Sequence, residues 1–257
     1  MANDTSPLNE IDWNVPPENF KLFKSEVHLW RARLNLPLAK IEKLARIISP
    51  DEQQRANRFH FERDRQYFIA GRGILRIILQ SYTRIKSHRL RFRYSAAGKP
   101  ALANATTIAE RLHFNLSHSH NLALYAVSYE RLVGVDLEQI RLLEDAEKLA
   151  QRFFSIREYA FISTLPQECK QEAFFKFWTC KEAYLKAIGD GLAGGLDKVE
   201  VELRTNQQPV LLNIPGDSHQ ASHWSLFQLS PHPGYIATLA VKGQKRDWNL
   251  KCWDLPF

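Results

Sequence analysis

The sequence predicts a mixed α+β fold, and three observations lead there. Short alternating or β-branched segments are interspersed with longer segments of helical periodicity. Two helical segments share one internal spacing, Phe68…Leu75-Arg76 and Trp178…Leu185-Lys186, and strands follow each. The 257 residues, 44% hydrophobic and 25% charged, suit a globular chain of one large or two small domains. The repeated spacing suggests two similar halves meeting near residues 129–132. The expected division is a tail at 1–20, an N-terminal half at 21–131 and a C-terminal half at 132–257.

Residues 1–20 are polar and interrupted by Pro7, Pro16 and Pro17, which predicts a loosely held tail. Val27–Leu34 alternates as a strand, and Leu38–Ile48 has a helical pattern. Ser49-Pro50-Asp51-Glu52 is a helix start: Ser as N-cap, Pro at the first helical position, acids in the first turn. That helix carries Arg55, Arg58 and Phe59, and another is predicted over Asp64–Ile78. Leu90–Tyr94 predicts a strand, Ser95–Pro100 a turn, and Leu112–Leu116 and Leu122–Tyr129 strands separated by a polar turn at Ser117–Asn121. Leu132–Glu138 predicts a further strand. Helices follow at Glu144–Phe154, at Ser155–Ser163, where Ser155 and Glu158 form a capping box, and at Gln171–Ile188. Val199–Leu203, Pro209–Ile214, His223–Leu229 and Tyr235–Lys242 complete the expected strands.

A formal charge of +7 and a pI near 9.3 favour acidic partners: phosphates, nucleic acid, anionic membrane or an acidic protein. Cys169, Cys180 and Cys252 are widely spaced and form no CxxC pair, which argues for reduced thiols and against a disulfide framework or zinc site. No signal-peptide apolar region is visible, and the longest apolar runs are too short to span a bilayer. A cytoplasmic protein is expected. A nucleic-acid binder is the main rival, on the Arg-rich segments Arg55–Arg76 and Arg84–Arg93 with their interleaved Phe and Tyr.

In Val133-Gly134-Val135-Asp136-Leu137-Glu138, alternation puts Val133, Val135 and Leu137 on one strand face and Asp136 and Glu138 on the other, about 6.5–7 Å apart at Cα. Carboxylates sharing a face repel, and a cation between them removes that cost. Oxygen-only ligands suit magnesium better than zinc or copper. The alternative is a solvated acidic face on an edge strand. Along 174–188, at about 100° per residue, Phe174, Phe177, Trp178, Leu185 and Ile188 form an apolar stripe. Lys181 falls within the stripe, free to snorkel from it. Glu182 falls at its edge with Lys186 at i+4. Charges among aromatics need partners; the alternative is a solvated Glu–Lys pair. Gly189-Asp190-Gly191 predicts the C-cap.

Gly134-Val135-Asp136-Leu137-Glu138, followed by Trp178-x-x-Lys181-Glu182-Ala183-x-x-Lys186-x-x-Gly189-x-Gly191-Leu192, resembles the 4′-phosphopantetheinyl transferases. Gly98-Lys99-Pro100 and Phe114-Asn115-Leu116-Ser117-His118-Ser119 resemble the family's two N-terminal motifs, in the expected order. The resemblance spans about residues 27–242 and is to the longer, surfactin-synthetase-activating type. It implies a monomer built as a pseudo-dimer of two similar α/β halves.

The resemblance also implies a reaction: coenzyme A gives its phosphopantetheine arm to a serine of an apo acyl, peptidyl or polyketide carrier protein, with magnesium, releasing 3′,5′-adenosine diphosphate. Carriers of this kind are usually acidic, which matches the basic charge, and neither membrane nor nucleic acid is then an expected partner. Asp136, Glu138 and Glu182 are the implied metal ligands. Glu182 and Lys186 are the implied catalytic residues, Glu182 as ligand, general base or both. Lys186 is expected on the diphosphate, and Lys99, Ser117 and His118 on coenzyme A. Arg72 is a candidate for the 3′-phosphate, because Arg holds phosphate bidentately. Ile140, Asp190 and the aromatic pair in Gln66-Tyr67-Phe68 depart from the pattern. A non-catalytic coenzyme A- or carrier-binding module is a further alternative; nothing in the three carboxylates supports it.

Overall fold

The computed structural model describes residues 11–18, 20–104, 106–191, 195–216 and 218–256. In chain order these form β1 (Glu26–Arg33), α1 (Leu38–Ala45), α2 (Pro50–Ala56), α3 (Glu62–Thr83), β2 (Phe92–Tyr94), β3 (Pro100–Leu102), α4 (Thr107–Arg111), β4 (Leu112–Ser119), β5 (Leu122–Tyr129) and β6 (Val133–Gln139). The C-terminal half continues with α5 (Ala146–Phe153), α6 (Ile156–Thr164), α7 (Gln167–Ile188), β7 (Glu200–Glu202), β8 (Val210–Asn213), β9 (Trp224–Leu229), β10 (Tyr235–Lys242) and β11 (Asn249–Asp254).

Four layers result. A sheet ordered β11-β1-β5-β4 and another ordered β6-β10-β9 face each other across Val27, Leu29, Leu124, Val135, Leu137, Leu239 and Trp248. Helix α3 covers the outer face of the first sheet, packing Ile74, Leu75 and Leu79 against Trp30, Tyr125 and Val127. Helix α7 covers the second, with Phe174, Phe177 and Leu185 in one core with Ile236 and Ala240. Strands β5 and β10 are therefore buried on both faces, which is why their sequences read as nearly unbroken apolar runs. Each half is a sheet under one 22-residue helix.

Four expectations are corrected. The tail is held at residues 11–14: Asn14 N donates to Cys252 O at 3.1 Å, Asp254 N donates back to Asn14 O at 2.8 Å, and the Arg31 guanidinium lies 4.6 Å over the Trp13 ring. The remainder of that expectation at 1–10, like Leu192 of the helix motif, lies outside the described residues. Strand β4 runs to Ser119, through the expected turn, which shrinks to His120-Asn121. Strand β11, unforeseen, pairs in parallel with β1 and so carries the end of the chain back into the N-terminal sheet. Lys181 does not snorkel. It is fully buried, its Nζ on Glu158 Oε2 at 2.5 Å and on the carbonyls of Leu196 and Val199. Glu158 meanwhile accepts from Ser155 N in the capping box and from Val201 N. One buried ion pair thus ties α6, α7 and β7 together.

Gly134 sets the distance between β6 and α7. A Cβ there would stand 2.0 Å from Ala183 O and 2.4 Å from Ala187 N, both backbone atoms. Only glycine permits this approach. Among the described residues, no helix is long and apolar enough to cross a membrane. Gly134→Ala is expected to push α7 off the strand, destabilising the protein by about 1–3 kcal/mol or more in chemical denaturation; an unchanged unfolding midpoint would contradict this packing.

Candidate active site

Strand β6 is the edge of its sheet. Its N–H groups at 134, 136 and 138 face β10, and those at 135, 137 and 139 point the other way. Buried N–H groups need acceptors, and β4 supplies them from side chains. Val135 N donates to Asn115 Oδ1 at 2.8 Å, Leu137 N to Ser117 Oγ at 3.2 Å and Gln139 N to Ser119 Oγ at 3.1 Å. Period-two spacing on β4 matches period-two spacing on β6. The seam between β4 and β6 is therefore a ladder whose rungs are side chains.

The serine rungs do a second job. Having accepted a main-chain bond, each hydroxyl points its own hydrogen at a carboxylate: Ser117 Oγ donates to Asp136 Oδ1 at 3.0 Å and Ser119 Oγ to Glu138 Oε2 at 2.9 Å. Helix α7 lies over the same face, held close by Gly134. Lys186 Nζ reaches Asp136 Oδ1 at 2.5 Å and Ser117 Oγ at 3.0 Å. Glu182 is buried, and its carboxyl is pushed up to about 7, first by burial, then by Asp136, with Glu138 adding to the push and Lys186 opposing it. The Glu138 carboxyl is also raised, by burial first and then by Asp136. Asp136, Glu138, Glu182 and Lys186 thus share one electrostatic neighbourhood.

Two buried carboxylate oxygens there, Asp136 Oδ2 and Glu182 Oε1, have no hydrogen-bond partner. Such atoms are costly unless something meets them. Oxygen donors of this charge fit a hard divalent cation. The site is not closed around one: among the described residues no three Asp, Glu, His or Cys side chains are gathered into a cation cluster. Lys186 occupies Asp136, and Ser119 occupies one oxygen of Glu138.

The remaining sequence candidates fall at two places. Lys99 closes the Ser95–Pro100 turn onto α7: its Nζ donates to Ala187 O at 2.6 Å and Val133 O at 3.3 Å, and burial lowers its pKa to about 8. His118 sits beside the serine rungs, its pKa lowered by the surrounding protein and then by Lys186. Ser117 has Leu137 N, Asp136 and Lys186 as partners within the chain. Arg72 lies apart from the carboxylates, its guanidinium held by Glu52 at 2.6 Å and donating to Tyr94 Oη at 2.8 Å. It lines a cleft of about 610 Å3 with Arg55, Arg58, Phe59, Phe68 and Gly98. Gly98 precedes Lys99, so the cleft opens beside the end of α7. Sequence reasoning missed Asn115 and Ser119 as functional positions. Their signal was the polar alternation Asn115-x-Ser117-x-Ser119, which also reads as a turn.

Comparison with known proteins shows the family. Residues 132–240 match the model of the 4′-phosphopantetheinyl transferase superfamily, and residues 36–130 match that of the 4′-phosphopantetheinyl transferase N-terminal region. The chain is similar to the 4′-phosphopantetheinyl transferase HetI of Nostoc, 45% identical over 241 residues that cover 94% of this chain and 97% of that one. It is also similar to the transferase psf-1 of Bacillus pumilus, 31% identical over 67% of this chain and 71% of the relative. The transferase Sfp of Bacillus subtilis is 26% identical over 74% and 81%. The chain belongs to the 4′-phosphopantetheinyl transferase superfamily, enzymes that move 4′-phosphopantetheine from coenzyme A to carrier proteins.

The raised Glu182 pKa makes a stability prediction with a defined sign. Its folded value, about 7, lies above the unfolded value of 4.5. Below pH 4.5 the group is neutral in both states. As pH rises to 7 the unfolded chain ionises first, so stability falls, and above 7 the full cost is present. In buffer with chelator, Glu182→Gln is expected to stabilise the protein on the order of 1–3 kcal/mol at pH 8 and by little at pH 4.5. A stability difference independent of pH, measured by chemical denaturation, would contradict the assignment.

Proposed function

We propose that Asp136, Glu138 and Glu182 hold a magnesium ion against the diphosphate of coenzyme A, and that phosphopantetheine passes there to a serine of an acidic acyl, peptidyl or polyketide carrier protein. The observation that carries this reading is the pair of buried, unpartnered oxygens on β6 and α7, Asp136 Oδ2 and Glu182 Oε1. Bound between them, magnesium would neutralise diphosphate oxygens and the charge growing on the leaving phosphate.

The chain's own residues divide the remaining work. Lys186 Nζ, at Asp136 and Ser117, is the positive charge assigned to the diphosphate, which it would help to neutralise. Glu182 is also the candidate to accept the proton of the carrier serine, directly or through water; a carboxylate on a cation is a poor base, so its roles as ligand and as base compete. The serine oxygen then bonds to the phosphorus on the pantetheine side, the bridging P–O bond breaks, and 3′,5′-adenosine diphosphate leaves with the electron pair. Lys99, at the last turn of α7, and His118, which feels the Lys186 charge, are assigned to coenzyme A phosphates. Ser117 is assigned to coenzyme A through Lys186. Arg72, with Arg55 and Arg58 in the cleft, is assigned to the 3′-phosphate end.

We further infer a cytoplasmic monomer. Support comes from the free thiols of Cys169, Cys180 and Cys252 and from the joining of both halves within one chain. The basic charge of +7 suits an acidic carrier, so modification should slow with added salt.

The test is mass spectrometry of an apo carrier protein incubated with coenzyme A, magnesium and this protein. A gain of roughly 340 Da, one phosphopantetheine, is expected. Chelator should abolish the gain and magnesium restore it. Asp136→Ala and Glu182→Ala should each abolish transfer in protein that stays folded. Full activity in both variants would sink the metal assignment.

A further inference from the structure

We propose that Ser119 is a positioning residue that presents Glu138 to the cation, a proposal that rests on the cation reading above. Asp136 is oriented from two sides, by Ser117 and by Lys186. Glu138 lies one residue pair further along the strand, where α7 lends it no such ion pair. Its side chain has one more rotatable bond than that of Asp136 and so more orientational freedom to lose. Ser119 donates to it at 2.9 Å.

The direction of that bond is fixed. Ser119 Oγ accepts Gln139 N at 3.1 Å, and this main-chain bond anchors the hydroxyl to the same strand that carries Glu138. The proton is left to point at Glu138 Oε2. The relay Gln139 N–H to Ser119 to Glu138 therefore sets the carboxylate by the backbone of its own strand and keeps its second oxygen for another partner. Groups that orient a metal's ligands are commonly worth 10–100-fold in metal affinity.

The test measures cation binding without turnover. Mn2+ is titrated into the full-length protein with coenzyme A and no carrier, and free Mn2+ is followed by electron paramagnetic resonance. Ser119→Ala is expected to weaken Mn2+ binding roughly tenfold or more, and Ser119→Thr, which keeps the hydroxyl, to stay within about threefold of the parent. Ser119→Cys keeps the volume but donates poorly, and is expected to behave as Ser119→Ala; it serves where the alanine variant does not fold. In a Glu138→Ala background, which removes the acceptor, Ser119→Ala should add nothing further. Folded Ser119→Ala or Ser119→Cys protein with parental Mn2+ affinity would overturn the proposal. Equal weakening in the Glu138→Ala background would also overturn it, because that marks a general loosening of the β4–β6 seam. Absence of Mn2+ binding to the parent protein would overturn the cation reading itself, and the Ser119 proposal with it.

Discussion

The structure depends on how the edge of β6 is satisfied. A buried strand edge with unmet N–H groups would be untenable. Here Asn115, Ser117 and Ser119 meet three of them. A backbone ladder would have left no side chains in the seam. A side-chain ladder instead brings hydroxyls to the strand that carries Asp136 and Glu138, so the interaction that closes this seam also orients the carboxylates. Structure and site are then the same set of bonds, and a substitution in the seam is felt by both.

Helix α7 is fixed over that strand from several directions. Gly134 admits its backbone. The buried Lys181–Glu158 pair ties it to α6 and β7, and Lys99 clamps its last turn. Phe174 and Trp178 stack on its apolar side with ring centroids 5.6 Å apart. Rigid seating matters because the helix holds Glu182 against two like charges, which Lys186 opposes. Burial first, and then that repulsion, lifts the Glu182 pKa and costs stability in the absence of a ligand. A cation bound as proposed would offset this cost.

Much of the arrangement could be read from the chain. Residues 132–138 alternate cleanly, so the strand and its acidic face were evident, and the aromatic stripe, Lys181 and the Gly189 cap marked α7. What escaped detection depended on partners distant in sequence. Glu158 already had a local role in its capping box, which hid its pairing with Lys181. Arg76, the N-terminal counterpart of Lys186 in the repeated spacing, proved to be a structural residue. It is buried on Glu52, Ser87 O and Leu90 O, so the two halves share spacing but not chemistry. Strand β11 was missed because its parallel partner β1 begins the N-terminal half. Ser119 was missed because a polar residue ending a strand reads as a turn.

Side chains of β4, rather than a backbone ladder, protect the outer edge of β6. Amide hydrogen exchange followed by nuclear magnetic resonance tests it directly. The amides of Val135, Leu137 and Gln139 should exchange slowly in the native protein, and Asn115→Ala should release Val135 far more than its β10-facing neighbour Asp136. Rapid exchange at Val135, Leu137 and Gln139 in the native protein, or protection of Val135 undiminished by loss of Asn115, would contradict the account.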